Sequence, residues 1–235
     1  MSLPDVVSRE QWLEARLPLL AEEKKETRKR DALNAGRRKL PMVRIEKDYV
    51  FDGAQGPATL AALFGDSRQL IIQHIMFGPD WAAACPSCTN SVDELSDGLL
   101  SHLRARDTGF ALVSRAPLAK LSAYKQRMGW SFPWYSAGET DFNYDFGVSF
   151  AADAVANGTA VYNYVSTPGL EDREGISTFA QDGQGQVFHT YSTYARGIDP
   201  VNSTYQLLDL TARGRDEPSE GNPQFWVRRH DEYHA

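Results

Sequence analysis

The sequence predicts an α/β protein in which parallel strands are joined by crossover helices and followed by a hairpin. Three observations carry that prediction. After Pro41, β-prone runs alternate with runs of helical period, the pattern of strands connected through helices. Asp182-Gly183-Gln184-Gly185 separates two further β-prone runs, a hairpin signal with a Gly-rich turn. The chain's two cysteines, Cys85 and Cys88, stand between the end of an apolar run and the start of a helical one.

Taken in order, Ser8 and Gln11 form a capping box that opens a helix carrying Trp12, Leu13, Leu17 and Leu20. Pro18 lacks an N–H and clashes with the preceding turn, so it is expected to kink or divide that helix. From Glu22 to Arg38, Glu and Lys/Arg interleave at helical spacing, as on a solvated helix held by i,i+4 pairs. The sharper alternative is an arm that packs on a second subunit, giving a homodimer. Leu40-Pro41 ends this extension, residues 1–40.

Met42 to Phe51 alternates and is β-prone, with turns at Asp52-Gly53 and Gln55-Gly56-Pro57. Thr59 to Phe64 is a short helical turn. Gln69 to Phe77 is apolar almost throughout and predicts a buried central strand. Residues 86–106 place Val92, Leu95, Leu99, Leu100 and Leu103 at helical spacing; Phe110 to Arg115 is a strand and Leu118 to Met128 a helix. Residues 129–175, rich in aromatics, Gly and Pro, read as an insertion. Ile176 to Ala180 and Gln186 to Tyr191 flank the hairpin turn, and Ser203 to Leu210 forms the closing helix. The main domain then spans 41–211, and 212–235 is a tail that docks through Phe225, Trp226 and Tyr233.

The bulk numbers narrow the function. With 235 residues, 42% hydrophobic and 24% charged, the chain has ample material for a buried core. A net charge of -6 argues against holding nucleic acid or an anionic membrane surface. No basic stretch followed by an apolar run is visible at the N-terminus, and Leu70 to Phe77 is too short and polar to span a bilayer. The expectation is a cytoplasmic protein. There thiols are kept reduced, so a close cysteine pair points to catalysis, redox sensing or metal binding.

Cys85 and Cys88 have C-x-x-C spacing at a strand-to-helix junction. A thiol at a helix N-terminus faces unpaired backbone N–H groups and the positive end of the macrodipole, and both favour thiolate. Pro86 suits the first helical turn, where its missing N–H costs nothing. Cys85 is therefore read as the nucleophile and Cys88 as the resolving thiol. Two other readings stand beside this one. The cysteines can be small core residues, or half of a metal site completed by His230 and His234. The long gap from Cys88 to His230 speaks against the metal, and neither a metal nor a cofactor is expected.

Phe77-Gly78-Pro79-Asp80-Trp81, Cys85-Pro86-Ser87-Cys88, Val113-Ser114-Arg115-Ala116-Pro117, Met128-Gly129-Trp130, the run Asp141 to Val148, the run Val187 to Gly197 and the ending Trp226 to Tyr233 stand in one order. Together they closely resemble a bacterial family of unknown function described as predicted thioredoxin-like dithiol–disulfide oxidoreductases. The resemblance covers nearly the whole chain. It implies a thioredoxin-like fold in its peroxiredoxin-like variant, a three-layer sandwich with a central mixed sheet, plus the N-terminal helical extension. The implied partners are a disulfide substrate, protein or low-molecular-weight, and a thiol reductant.

Three departures from better-known relatives rank the activities. Ala84 precedes Cys85 where thioredoxins carry Trp, and Gly175 and Ile176 precede Ser177 where they carry a cis-proline. Ala82 stands where peroxiredoxins carry a Thr or Ser hydroxyl for the peroxide. Disulfide exchange is ranked first, a thiol peroxidase second, and a non-catalytic redox sensor or scaffold third. Trp81, Pro86, Ser87 and Ile176 are the candidate substrate contacts.

Other residues carry paired readings. His74 is a hydrogen-bonded core histidine or a neighbour of the thiols, and His189 faces either the site or solvent. Trp130, Trp134 and Tyr144 line a pocket or simply pack. Arg115 and Arg196 bind an anionic group or form salt bridges. Asp80 accepts a proton during exchange or caps the loop, and the cap is favoured.

Overall fold

The computed structural model describes residues 3–166 and 169–233. Helix α1, Arg9–Arg37, begins with the expected capping box: Ser8 Oγ accepts from the Gln11 amide at 3.2 Å, and Gln11 Oε1 accepts from the Ser8 amide at 3.0 Å. Pro18 does not divide it; the helix runs through as one element, and none of its residues is buried. The carbonyl that loses its amide partner to Pro18 therefore lies on an exposed helix, where water replaces the bond. Charge pairs run along the helix, Lys25 to Glu22 at 2.6 Å and Lys29 to Glu26 at 3.3 Å, at i,i+3 spacing.

The remaining elements are strands β1 (Val43–Arg44), β2 (Val50–Gly53), β3 (Gly56–Thr59), β4 (Gln69–His74), β5 (Thr108–Ser114), β6 (Trp134–Ser136), β7 (Val161–Tyr162), β8 (Val165–Ser166), β9 (Gly175–Gln181) and β10 (Val187–Tyr194). Among them run helices α2 (Pro86–Asp93), α3 (Asp97–Arg104), α4 (Leu118–Met128), α5 (Phe142–Asp145), α6 (Ala152–Ala156) and α7 (Ser203–Leu208). Eight strands form one mixed sheet in the order β1-β10-β9-β4-β5-β6-β2-β3. Strands β4, β5 and β6 are parallel, as their crossovers through α2, α3 and α4 require. The β9–β10 hairpin adds antiparallel to β4, with Leu70 opposite Phe179 and His74 opposite Gly175.

Alternation along the strands divides the interior in two. Leu112 of β5 joins Phe77, Tyr124, Trp130 and Trp134 in a core under α2, α3 and α4. Its neighbours Ala111 and Val113 point the other way, to Phe51, Leu70, Ile72, Phe142 and Phe179. This second core is closed by α5 and by the 3-10 turn Ala62–Phe64. The sheet is thus covered on both faces, the layered arrangement expected from the sequence.

Three local features differ from expectation. The helical stretch 86–106 is two helices, because Ser96 accepts from the Leu99 amide at 3.1 Å and caps a new start. The stretch 129–175 contains β6, which pairs in register with the core strand β5 through Leu112 and Trp134. Gln55-Gly56-Pro57 is not only a turn: Gly56, with φ 106°, leads into β3, which pairs back on β2.

The tail is tied to the sheet's end by a few directed contacts. Val227 is buried, and the Arg229 guanidinium donates to the Ala84 carbonyl from two nitrogens, at 3.1 and 2.6 Å. His230 Nδ1 lies 2.8 Å from Asp93, and Arg127 pairs with Asp231 at 2.6 Å and Glu232 at 3.1 Å. Phe225 and Tyr233 stay largely exposed, while Trp226 donates to Glu217 at 2.9 Å and packs edge-on against Tyr205. We expect Arg229→Ala to lower the free energy of unfolding by about 1.5–3 kcal/mol, as for loss of hydrogen bonds to a charged group. The midpoint in urea reads this out, with no change in slope.

Candidate active site

Cys85 is the residue that caps α2. The β4 chain continues past His74 through Ile75, Met76 and Phe77, all buried, and the loop 78–84 returns it to the sheet's end. The Cys85 amide donates to the Met76 carbonyl at 3.0 Å, and the Cys85 carbonyl accepts from the amide and hydroxyl of Thr89 at 2.9 and 3.0 Å. Thr89 in turn meets Tyr124 at 2.7 Å, which joins the cysteine's backbone to the aromatic core. Arg229 fixes the preceding carbonyl. The backbone of Cys85 is held on every side, and its sulfur is left half-buried at the helix start.

That sulfur faces donors. The Cys88 thiol first, and then the amide dipoles of Cys88 and Ser87 at the helix start, favour its thiolate and outweigh the cost of burial. A thiol of ordinary pKa 9.0 is pulled down to about 6. Cys88, buried one turn further in, moves the opposite way. Its bond to Cys85, its burial and the negative charges of Cys85 and Glu174 push it well above the thiol range. Both cysteines are free thiols here.

Glu174, immediately before β9, is a third member that sequence reasoning missed. Its Oε2 lies 3.8 Å from Cys88 Sγ, within reach of the one proton that the Cys88 thiol can give either to it or to Cys85. Burial first, then the charge of Cys85, pushes its carboxyl up to about 7, against lowering by the Cys88 bond and Arg173. The neighbouring Gly175 explains how Glu174 comes so close. A Cβ at Gly175 would lie 2.8 Å from Val148 and 3.0 Å from the Tyr194 ring, so only glycine lets the strand pass.

Two cavities meet at the dithiol. One of about 510 Å³ opens over Cys85 between the tail, at Gln224, Phe225 and Arg228, and the segment Leu170, Arg173, Glu174. The other, about 230 Å³, reaches Cys88 and Glu174 from the side of α7 and is lined there by Asn202, Tyr205 and Arg215. Ser87, Glu174, Ala195 and Gln224 line both. Ser87 donates to Gln224 at 2.7 Å, and Gln224 donates to the Tyr205 hydroxyl at 2.7 Å, so the tail is bonded to the active-site helix itself.

Of the candidate substrate contacts, Pro86 and Ser87 line the cavity over Cys85. Trp81 packs on the core beneath α2, and Ile176 is half-buried in β9 opposite Gln73; neither lines the two cavities. Trp130 and Trp134 are core residues, and Tyr144 bonds Arg115 on the other side of the sheet's end. Arg115 is taken up by buried Asp172 at 2.8 Å, and Arg196 pairs with Asp199 at 2.9 Å. Asp80 is exposed and makes no side-chain hydrogen bond among the described residues.

His74 is buried, with Asn143 at 3.2 Å on Nδ1 and Ser177 at 3.0 Å on Nε2, and burial lowers its pKa to about 4. Ser177 meets Ser192 at 2.9 Å and Ser192 meets His189 at 2.8 Å, so both histidines belong to one buried polar chain at the rear of the smaller cavity. His230 is engaged by Asp93; His234 lies outside the described residues. No helix among the described residues is long and apolar enough to cross a membrane.

Residues 1–233 match a family described as bacterial protein of unknown function, DUF899. No curated protein matches the sequence. Among solved structures, the bacterioferritin comigratory protein of Xanthomonas campestris, a protein with alkyl peroxide reduction activity, superposes with a TM-score of 0.50 at 13% identity. The match covers 74% of this chain and 99% of that one. A cysteine-to-serine variant of Xanthomonas campestris peroxiredoxin Q gives 0.49 at 14% identity, covering 72% and 97%. Peroxidoxin BcpB of Mycobacterium tuberculosis gives 0.43 at 17%, covering 72% and 96%. At such identities the likeness shows the fold alone: a thioredoxin-like sheet in the form that peroxiredoxins take.

Alkylation of reduced protein by iodoacetamide across pH tests the donor arrangement. Cys85 should react with a midpoint near 6, and Cys88→Ala, which removes the first donor, should move that midpoint up toward 9.0. The sign follows because a lost donor destabilises only the thiolate.

Proposed function

We propose that this chain, which belongs to the bacterial DUF899 family of unknown function, is a dithiol–disulfide oxidoreductase of a reducing compartment such as the cytoplasm. The observation that carries the proposal is the opposed pair of thiols, Cys85 half-buried and lowered to about 6, Cys88 fully buried and raised, with Glu174 against Cys88. At pH 7 Cys85 is mostly thiolate and attacks one sulfur of a substrate disulfide, expelling the other as thiolate and leaving a mixed disulfide on Cys85.

The second step is prepared by the first. Once Cys85 is in a mixed disulfide it carries no charge, so two of the influences that raise Cys88 are gone, the bond to the thiolate and its repulsion. The Cys88 proton passes to the Glu174 carboxylate, and Cys88 displaces the substrate's second thiolate from Cys85. The products are two thiols and the Cys85–Cys88 disulfide, which an external thiol reductant opens again.

Equilibration in glutathione redox buffers followed by mass tests the reading: the protein should lose two hydrogen atoms as the poise becomes oxidising. Failure to form the intramolecular disulfide under oxidising conditions refutes it. Cys88→Ser should trap a mixed disulfide on Cys85. If peroxide instead oxidises Cys85 to sulfenic acid in that variant faster than disulfides react, the activity is peroxide reduction, although Ala82 offers no hydroxyl. Glu174→Gln should slow disulfide closure at pH 7 by about 10²-fold, the usual worth of a positioned proton acceptor, and remove an inflection near pH 7 from the rate profile.

A further inference from the structure

We infer that the cleft over Cys85 takes a low-molecular-weight organic disulfide carrying carboxylates, in preference to the disulfide of a folded protein; the inference rests on the dithiol reading above. The first ground is shape. A folded protein presents its disulfide on a convex surface, whereas Cys85 lines a cleft of about 510 Å³. That volume is in the range that holds one small molecule, roughly 300–1,000 Å³. One wall is the tail, and the tail is not loosely laid: buried Val227, the Arg229 bonds to the Ala84 carbonyl and the Gln224 bond to Ser87 fix it on both sides of the cysteine.

The second ground is the chemistry of the walls. Leu170 and Phe225 are each more than half exposed and face the cleft with Pro86, an apolar lining suited to the carbon chain beside a sulfur. Two guanidinium groups, Arg173 and Arg228, line the same cleft. Arg173 sits over the Tyr162 ring with its carbon 5.5 Å from the centroid. Arg228 is exposed and donates to the Phe225 and Val227 carbonyls at 2.7 and 3.1 Å, with no carboxylate partner among the described residues. The carboxylate that does line the cleft, Glu174, lies against Cys88. An incoming dianion therefore meets the Arg228 guanidinium, with Arg173 in the same lining, and guanidinium groups bind carboxylates through paired N–H donors.

The reaction balances without a further reagent in a single turnover. The Cys85 and Cys88 thiols give two electrons and two protons, the substrate's S–S bond breaks, the Cys85–Cys88 bond forms, and two substrate thiols leave.

Full-length reduced protein is mixed with dithiodipropionate, hydroxyethyl disulfide or cystamine, which are dianionic, neutral and dicationic, and with insulin as a protein disulfide. Quenched samples are read by mass. At low salt the dianion should react roughly tenfold faster than the neutral compound and the dication slower again, with the spread narrowing as salt is added. Insulin should be slower than the dianion. Arg228→Gln should narrow the dianion-to-neutral ratio, and Arg228→Lys should keep most of it. Equal rates for the three small disulfides, or insulin reacting as fast as the dianion, overturns the inference while leaving the dithiol reading intact. Failure of all four compounds overturns that reading as well.

Discussion

Ser87 and Cys88 open a helix, so their amide hydrogens have no carbonyl one turn back to receive them. The Cys85 sulfur occupies the space those amides face. The surrounding arrangement keeps it there. Pro86 starts the helix without adding another unpaired amide, Thr89 and Met76 hold the backbone of Cys85, and Arg229 takes the carbonyl before it. Were Cys85 free to rotate away, the amides would turn to water and the thiol would revert to ordinary behaviour. The position of the helix follows from the sheet: a parallel β4–β5 pair requires a crossover, and the crossover begins at the end of β4.

Charge is arranged around this point with some economy. The thiolate is stabilised by neutral dipoles and by a thiol, and the nearest carboxyl is buried enough to be ionised only in part near pH 7. Two negative charges close together would repel; keeping two protons among Cys85, Cys88 and Glu174 leaves one charge and avoids this. The buried pair Arg115–Asp172, braced by Ser149 at 2.6 Å, sits at the neighbouring end of the sheet and ties its own segments together. Asp172 and Glu174 thus carry different tasks two residues apart.

Much of this was legible in the sequence. Helix α4 could be bounded to the residue, because its apolar spacing ends at Gly129, which adopts the left-handed conformation at φ 68°. The hairpin and β4 were equally plain, one from its Gly-rich turn and the other from a run that is apolar almost throughout. The break between α2 and α3 carried a signal in Ser96 before Asp97, yet Leu95 and Leu99 bridge it with helical spacing and obscure it. Strand β6 is too short at three residues to show alternation. Glu174 was not legible, since one of three acidic residues in the stretch Gly169 to Gly175 reads as surface until the strand is placed beside β4. The same holds for Arg229, whose partner is 145 positions away.

Helix α1 leaves a consequence of a different kind. A helix of 29 residues rises about 43 Å at 1.5 Å per residue, and no side chain along it is buried. Its order therefore depends mainly on its own cap, its propensities and its charge pairs, the pairs worth a few tenths of a kcal/mol each. The sheet has its whole packed core to lose before it opens; the helix has its ladder and, at its C-terminal end, Arg37 lying over the Tyr191 ring of β10 at 5.2 Å. The two parts of the chain are consequently separate units of unfolding, and amide exchange in α1 reports a local equilibrium that says nothing about the stability of the sheet.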